Sequence, residues 1–395
     1  MTELWQEYYL ANISEIRPGK KRNWADRGIS AEFLYNIEEI SEKERIMAGI
    51  TEEEKRILME SRKSKNWKEE LEKLEERGIH FLAWDSDRYP GRLKELTGMP
   101  YGLYVKGELP EENRTSVAIV GARRCSAYGE KMTLQYSEIL AEAGAQIISG
   151  MALGIDGAAH RGALSSGGKT FAVLGCGVDL CYPREHKGLY TDLSVKGGIL
   201  SEYPPGTPPL ANHFPARNRL ISGLADVVLV MEAKEKSGSL ITADLALEQG
   251  RDIFALPGPA DSPLSKGCHR LIDQGAGILL DPEELCEQLH MIPKNKKNGM
   301  AQNNHKNKIM LETEEDLVYS KCDLFPRSRE EIRRLTGLAP EELSRILLSL
   351  ELKGYISERS KNYYFRRIEI AVTGMEEYYG TLSRNCGITY KSENH

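Results

Sequence analysis

Apolar residues recur at helical spacing through the first 78 positions, in stretches such as E-L-W-Q-E-Y-Y-L-A-N-I and T-E-E-E-K-R-I-L-M-E-S-R, and predict a domain of short helices there. From about 79 to 290 the pattern changes. Short, near-continuous apolar runs appear at 117–120, 146–149, 170–174, 198–201, 227–231 and 253–256, most of them ending in Gly, Ser or Pro and followed by a helical stretch. Strands buried on both faces need such runs. Their alternation with helices predicts an α/β domain with an extended Rossmann-like, doubly wound and mostly parallel sheet. Residues 291–308 contain P-K-N-K-K-N-G-M-A-Q-N-N-H-K-N-K, almost without apolar positions, and read as a flexible basic linker. Residues 309–368 return to helix, helix and a terminal hairpin of Y-I-S-E-R and Y-Y-F-R-R, the pattern of a winged helix. The tail, 369–395, has no readable pattern.

Composition adds limits. The chain has 395 residues, enough for two to three domains, and its 40% hydrophobic content supports a sizeable core. A net charge of −6 excludes a protein that coats polyanions over its whole surface, so any nucleic-acid site must be a local basic patch. Seven scattered cysteines without a C-x-x-C fit reduced thiols in the cytoplasm, with Cys176 and Cys181 as semi-buried thiols. No apolar run reaches the ~20 residues that span a bilayer, and M-T-E-L-W-Q-E has no signal-peptide character.

The candidate chemistry lies where strands end, because ligands of open α/β sheets bind beyond the carboxyl ends of the strands. F-P-A-R-N-R, Phe214 to Arg219, packs two arginines, an asparagine and an aromatic into six residues beside an apolar run. G-A-R-R-C-S follows V-A-I-V: Gly121 allows a tight turn, Arg123 and Arg124 supply forked donors suited to phosphate, and Ser126 can cap a helix whose amino end attracts anions. S-G-M-A-L-G-I-D, starting at Ser149 and Gly150, and S-G-S-L-I-T-A, starting at Ser237, Gly238 and Ser239, are two further glycine-serine helix starts. Four such stretches on one rim, two carrying arginines, point to a site that grips an anion.

Catalytic readings fit the same residues poorly. G-G-K-T at 167–170 imitates the end of a phosphate loop, but Ala163 occupies the first-glycine position and the lysine precedes a strand. L-G-C-G-V-D starts like a dinucleotide fingerprint, with Leu180 where the third glycine belongs. Asp156 and His160 share a helix face at i, i+4; no third ligand type lies nearby in sequence, and a capping Asp with a packing His is the plainer reading. G-x-S-x-G does not occur. R-P-G-K-K-R at 17–22 faintly resembles a helix-hairpin-helix turn, with one glycine only, and serves equally as a solvated basic turn.

Together V-A-I-V-G-A-R-R, S-G-M-A-L-G-I-D-G-A-A-H, L-S-E-Y-P-P-G, H-F-P-A-R-N-R-L-I-S-G-L and S-G-S-L-I-T-A resemble the DNA processing protein A family (DprA/Smf), densely over 80–290. The resemblance implies a non-catalytic protein, without cofactor or metal, that binds single-stranded DNA, protects incoming strands in natural transformation and loads the RecA recombinase. It also implies a cytoplasmic homodimer joined through the central domain, and a helical amino-terminal domain of SAM or helix-hairpin-helix type. By motif, the DNA pocket would comprise Gly121, Arg123, Arg124, Ser149, Gly150, Phe214, Arg217, Asn218 and Arg219, with Ser237, Gly238 and Ser239 at its edge. Arg123, Arg217 and Arg219 would neutralise phosphates, Asn218 would orient backbone or base, and Phe214 would pack or stack. Ala211 stands where relatives often carry a lysine, so one phosphate contact is in doubt.

The would-be recognition helix of the winged helix carries Glu341, Glu342 and Glu351 against Arg345 and Lys353, a poor groove reader that suits a protein contact or a tether better than transcriptional control. The alternative function is a nucleotide phosphoribohydrolase of the cytokinin-activating (LOG) type. Its P-G-G-x-G-T-x-x-E signature has no match, since L-P-G-P-A-D at 256–261 lacks the glycines, threonine and glutamate.

Overall fold

The computed structural model describes residues 3–291, 313–322, 327–360 and 362–366, which fall into two compact units on either side of residue 302. The first is built on one nine-stranded sheet: β1 (Ile79–Ala83), β2 (Gly102–Gly107), β3 (Ser116–Val120), β4 (Gln146–Ser149), β5 (Lys169–Val173), β6 (Gly198–Ser201), β7 (Val227–Val230), β8 (Asp252–Ala255) and β9 (Gly277–Ile278). Their order is β1-β2-β6-β5-β4-β3-β7-β8-β9. The seven strands from β6 to β9 in that order pair in parallel, whereas β1 and β2 join the β6 edge antiparallel. The chain runs outward from β3 through β4 and β5 to β6, then returns to β7 on the other side of β3. The direction of winding therefore reverses between β3 and β7.

Every residue of β3 is buried, which is why V-A-I-V carries no polar alternation. Successive side chains point to opposite faces. Val117 and Ile119 join the core beneath the helices Ala127–Glu142 and Ile155–Ser165. Ala118 and Val120 join the core beneath the helices His213–Gly223 and Gly238–Glu248. The doubly wound α/β expectation holds, with β1, β2 and β9 added at the margins.

Six short helices between Leu4 and Glu76 precede the sheet. Tyr8, Tyr9, Trp24, Leu58 and Trp67 share one core with Phe81 of β1 and Tyr104 of β2, and the Tyr8 ring meets those of Phe81 and Tyr104 edge-on at 5.3 and 6.3 Å. R-P-G-K-K-R is not a hairpin turn. Pro18 opens the helix Pro18–Asp26, as its fixed φ and missing N–H favour. Its three cations are engaged: Lys20 pairs with Glu54 at 3.3 Å, Arg22 with Asp26 at 2.8 Å, and Lys21 donates to the Ala11 carbonyl at 3.0 Å. Burial pulls the Lys21 amine down to about 7. Of the segment's four cations only Arg17, just ahead of the helix, is exposed without a side-chain hydrogen bond or ion pair to a described residue.

The second unit contains the helix Thr313–Lys321, β10 (Arg327–Ser328), the helices Arg329–Thr336 and Pro340–Leu352, β11 (Ile356–Ser360) and β12 (Tyr363–Arg366). The sheet order β10-β12-β11 completes a winged helix. Both bases of the Pro340–Leu352 region are ion-paired, Arg345 with Glu314 at 3.5 Å and Lys353 with Glu315 at 2.6 Å. Among the described residues no helix is long and apolar enough to cross a membrane.

Candidate nucleic-acid interface

A cavity of about 490 Å³ opens where β3, β4 and β7 end, at the reversal of winding. That is the position at which open α/β sheets bind ligands. The turn after β3 comes so close to its neighbours that a Cβ on Gly121 would lie 2.6 Å from the Ile155 side chain and 3.0 Å from the Glu232 carbonyl oxygen. A side chain at Gly121 would therefore close the turn that presents the two arginines.

Arg123 and Arg124 line the cavity with exposed side chains, and so do Lys234 and Lys236 from the segment after β7. None of these four cations is ion-paired with another described residue. The two lysines were missed in the motif reading. The signal was present as E-A-K-E-K directly after the buried run V-V-L-V-M, since charge released at the end of a central strand emerges on the binding rim. Ala211 also lines the cavity, where relatives often carry a lysine and where Lys234 and Lys236 are lining residues too.

The structure places Arg217 and Arg219 differently from each other. F-P-A-R-N-R lies inside the helix His213–Gly223. Arg217 is only 4% exposed. It forms a buried part of the cavity lining and donates to the Gly150 carbonyl at 3.0 Å and to that of Val173, tying together the ends of β4 and β5. Gly150 is required at this point: a Cβ would fall 2.6 Å from both terminal nitrogens of Arg217 and 2.7 Å from an Asp156 oxygen. Burial pulls the Arg217 guanidinium down to about 10 against the attraction of Asp156, and burial pushes the Asp156 carboxyl up against that of Arg217.

Arg219 is absent from the cavity lining. Both its terminal nitrogens reach Glu202, at 2.9 and 2.6 Å. Arg219→Ala should therefore leave oligonucleotide affinity within about twofold while lowering stability by about 1–3 kcal/mol, through loss of a charge-assisted fork. Parallel binding titrations and thermal unfolding check this.

The remaining candidates divide in the same way. Ser149 is buried, and its hydroxyl donates to the Ile119 carbonyl at 2.6 Å, so the residue serves the sheet. Ser126 caps the helix Ala127–Glu142 as expected, but the anion at that helix end is the protein's own. Glu232 accepts from the Ser126 amide at 2.8 Å and from its hydroxyl at 2.5 Å. Ser237, Gly238 and Ser239 line the cavity at the start of the helix Gly238–Glu248, where the Ser237 side chain is the cap. Asn218 lines it too, donating to the Gly238 carbonyl at 3.4 Å. Phe214 forms a wall with the Arg123 guanidinium 5.4 Å from its ring centre.

Asp156 and His160 form no catalytic pair. Asp156 faces Arg217 and accepts from the Ala152 amide at 3.4 Å. His160 is fully buried, its Nδ1 sits 2.7 Å from the Thr170 hydroxyl, and burial holds its pKa down at about 3. Among the described residues no group of three or more His, Cys, Asp or Glu is placed to hold a metal ion.

The chain matches two family models: DNA recombination-mediator protein A over residues 80–290, and the DprA winged helix domain over residues 310–360. It is 42% identical to protein Smf of Escherichia coli over 289 residues, which is 72% of this chain and 76% of the relative. It is 47% identical to DNA processing protein DprA of Streptococcus pneumoniae over 199 residues, 50% of this chain and 70% of the relative. The X-ray structure of DprA from Streptococcus pneumoniae superposes with a TM-score of 0.63 at 35% identity, covering 73% of this chain and 98% of that one. With its α/β sheet, its switch-point cavity and its winged helix all in place, the chain belongs to the DNA recombination-mediator protein A (DprA/Smf) family.

Proposed function

We propose that the protein holds single-stranded DNA by its phosphates at the switch-point cavity, without chemistry, and passes the strand to the RecA recombinase. The observation that carries the reading is the set of four exposed cations, Arg123, Arg124, Lys234 and Lys236, around one cavity, none of them ion-paired among the described residues. Phosphate contacts of this kind give salt-dependent, sequence-tolerant binding. The titratable groups that could act as acid or base, Asp156 in the cavity lining and the buried His160, face Arg217 and the Thr170 hydroxyl respectively. That favours gripping over hydrolysis, and the missing P-G-G-x-G-T-x-x-E signature weighs against a phosphoribohydrolase.

Family membership supports the finer reading. The strand is incoming DNA in natural transformation, the protein works in the cytoplasm as a homodimer joined through the sheet domain, and the winged helix contacts protein instead of reading a groove. A gel shift comparing single- and double-stranded DNA, followed by RecA-dependent strand exchange on the coated strand, tests this. Preference for the single strand and faster RecA exchange are expected. Equal binding of both forms, or release of base from nucleoside monophosphates at enzymatic rates, would replace the reading.

A further inference from the structure

Exposed apolar side chains stand around the cationic cavity. Ile241 lines the cavity itself, Leu153 and Leu210 adjoin the lining residues Ala152 and Ala211, and the Tyr182 ring lies against the lining residue Phe214. Phosphates gain nothing from such a collar; an unpaired base does.

The aromatic pair shows which ring is open. Phe214 is boxed in: a Cβ on Gly175 would fall 3.1 Å from its ring, the Arg123 guanidinium lies 5.4 Å from its centre, and the Tyr182 ring packs 5.5 Å away at a 37° tilt. Tyr182 is 41% exposed, and its hydroxyl makes no hydrogen bond to a described residue. Arg123 and Tyr182 thus each stand about 5.5 Å from the same Phe214 ring, close enough for a phosphate and a neighbouring base of one strand to reach both.

Resting on the phosphate-binding reading above, we propose that Tyr182, propped by Phe214, is the surface on which an unpaired nucleobase stacks while Arg123 holds an adjacent phosphate. A base within a duplex has both faces covered by its neighbours, so this contact selects single strands, which phosphate contacts alone do not.

The test uses the full chain with two probes of equal length, a thymidine oligonucleotide and an abasic phosphodiester oligomer. Wild type should bind the thymidine strand about 5- to 150-fold more tightly, the span that ~1–3 kcal/mol of stacking converts to. Tyr182→Ala should lose that preference and keep its affinity and salt dependence for the abasic oligomer, and Tyr182→Phe should restore the preference. Full preference retained in Tyr182→Ala overturns the assignment. Equal, salt-dependent binding of both probes by wild type overturns stacking and leaves the phosphate site standing. Abasic binding that is indifferent to Arg123→Ala removes the phosphate site, and this inference with it.

Discussion

Arg217→Ala should lower the stability of the sheet domain by about 3–5 kcal/mol in equilibrium urea unfolding, the largest loss expected from any arginine of the site. Three costs coincide. The carbonyls of Gly150 and Val173 lose a charged donor, Asp156 stays buried without its facing charge, and a cavity opens under the ends of β4 and β5. Arg217→Lys should recover part of the loss, because both carbonyls are met by the one terminal nitrogen Nη1, a contact an ammonium can make, while the packing of the planar guanidinium is lost. Arg217→Met together with Asp156→Leu should recover much more, since replacing both members of a buried charged pair by apolar groups removes the desolvation cost along with the attraction. Arg123→Ala, at an exposed position, should change stability by no more than about 0.5 kcal/mol. DNA binding by the Arg217 variants is thus expected to fail through lost cavity geometry and to track the folded fraction, whereas Arg123→Ala weakens binding in a fully folded protein.

The second large effect concerns affinity. Replacing Arg123, Lys234 and Lys236 together by alanine removes three of the four exposed cations that face the cavity. A charge pair at about 4 Å in water-like surroundings contributes ~1 kcal/mol. The triple variant should therefore bind single-stranded DNA about 100-fold more weakly at low salt, by roughly the same factor for every base sequence. Fluorescence anisotropy with oligonucleotides of different sequence measures this, and thermal unfolding should show an unchanged midpoint. A loss confined to particular sequences would mean that these side chains read bases.

The sheet was legible because burial on both faces leaves a mark in the sequence. β3 to β8 each appear as a short, near-continuous apolar run, displaced by at most a residue or so. β9 has two residues, too few for any period, and β1 and β2 are margin strands covered by the amino-terminal helices. The site was legible in place and only partly in detail. Both arginines of F-P-A-R-N-R look equally suited to phosphate while only their residue types and spacing are read. Once it is a helix, positions two apart point about 200° away from each other, and of the two only Arg217 reaches the cavity lining. Arg217 turned to the strand ends, and Arg219 turned to Glu202. Glu232 was invisible for a different reason. Its role at the helix capped by Ser126 depends on β7 lying beside β3, a contact between residues 106 positions apart. Lys234 and Lys236 belong to no motif, and only the end of a central strand marks them.

The account stands on the cavity cations as the grip on the strand, and the slope of log affinity against log salt for a single-stranded oligonucleotide tests that most directly. Each phosphate contact on a single strand contributes about −0.7 to the slope. Wild type compared with the triple variant lacking Arg123, Lys234 and Lys236 should therefore show a slope shallower by about 2. An unchanged slope, in a variant that unfolds at the wild-type temperature, would place the strand elsewhere on the protein.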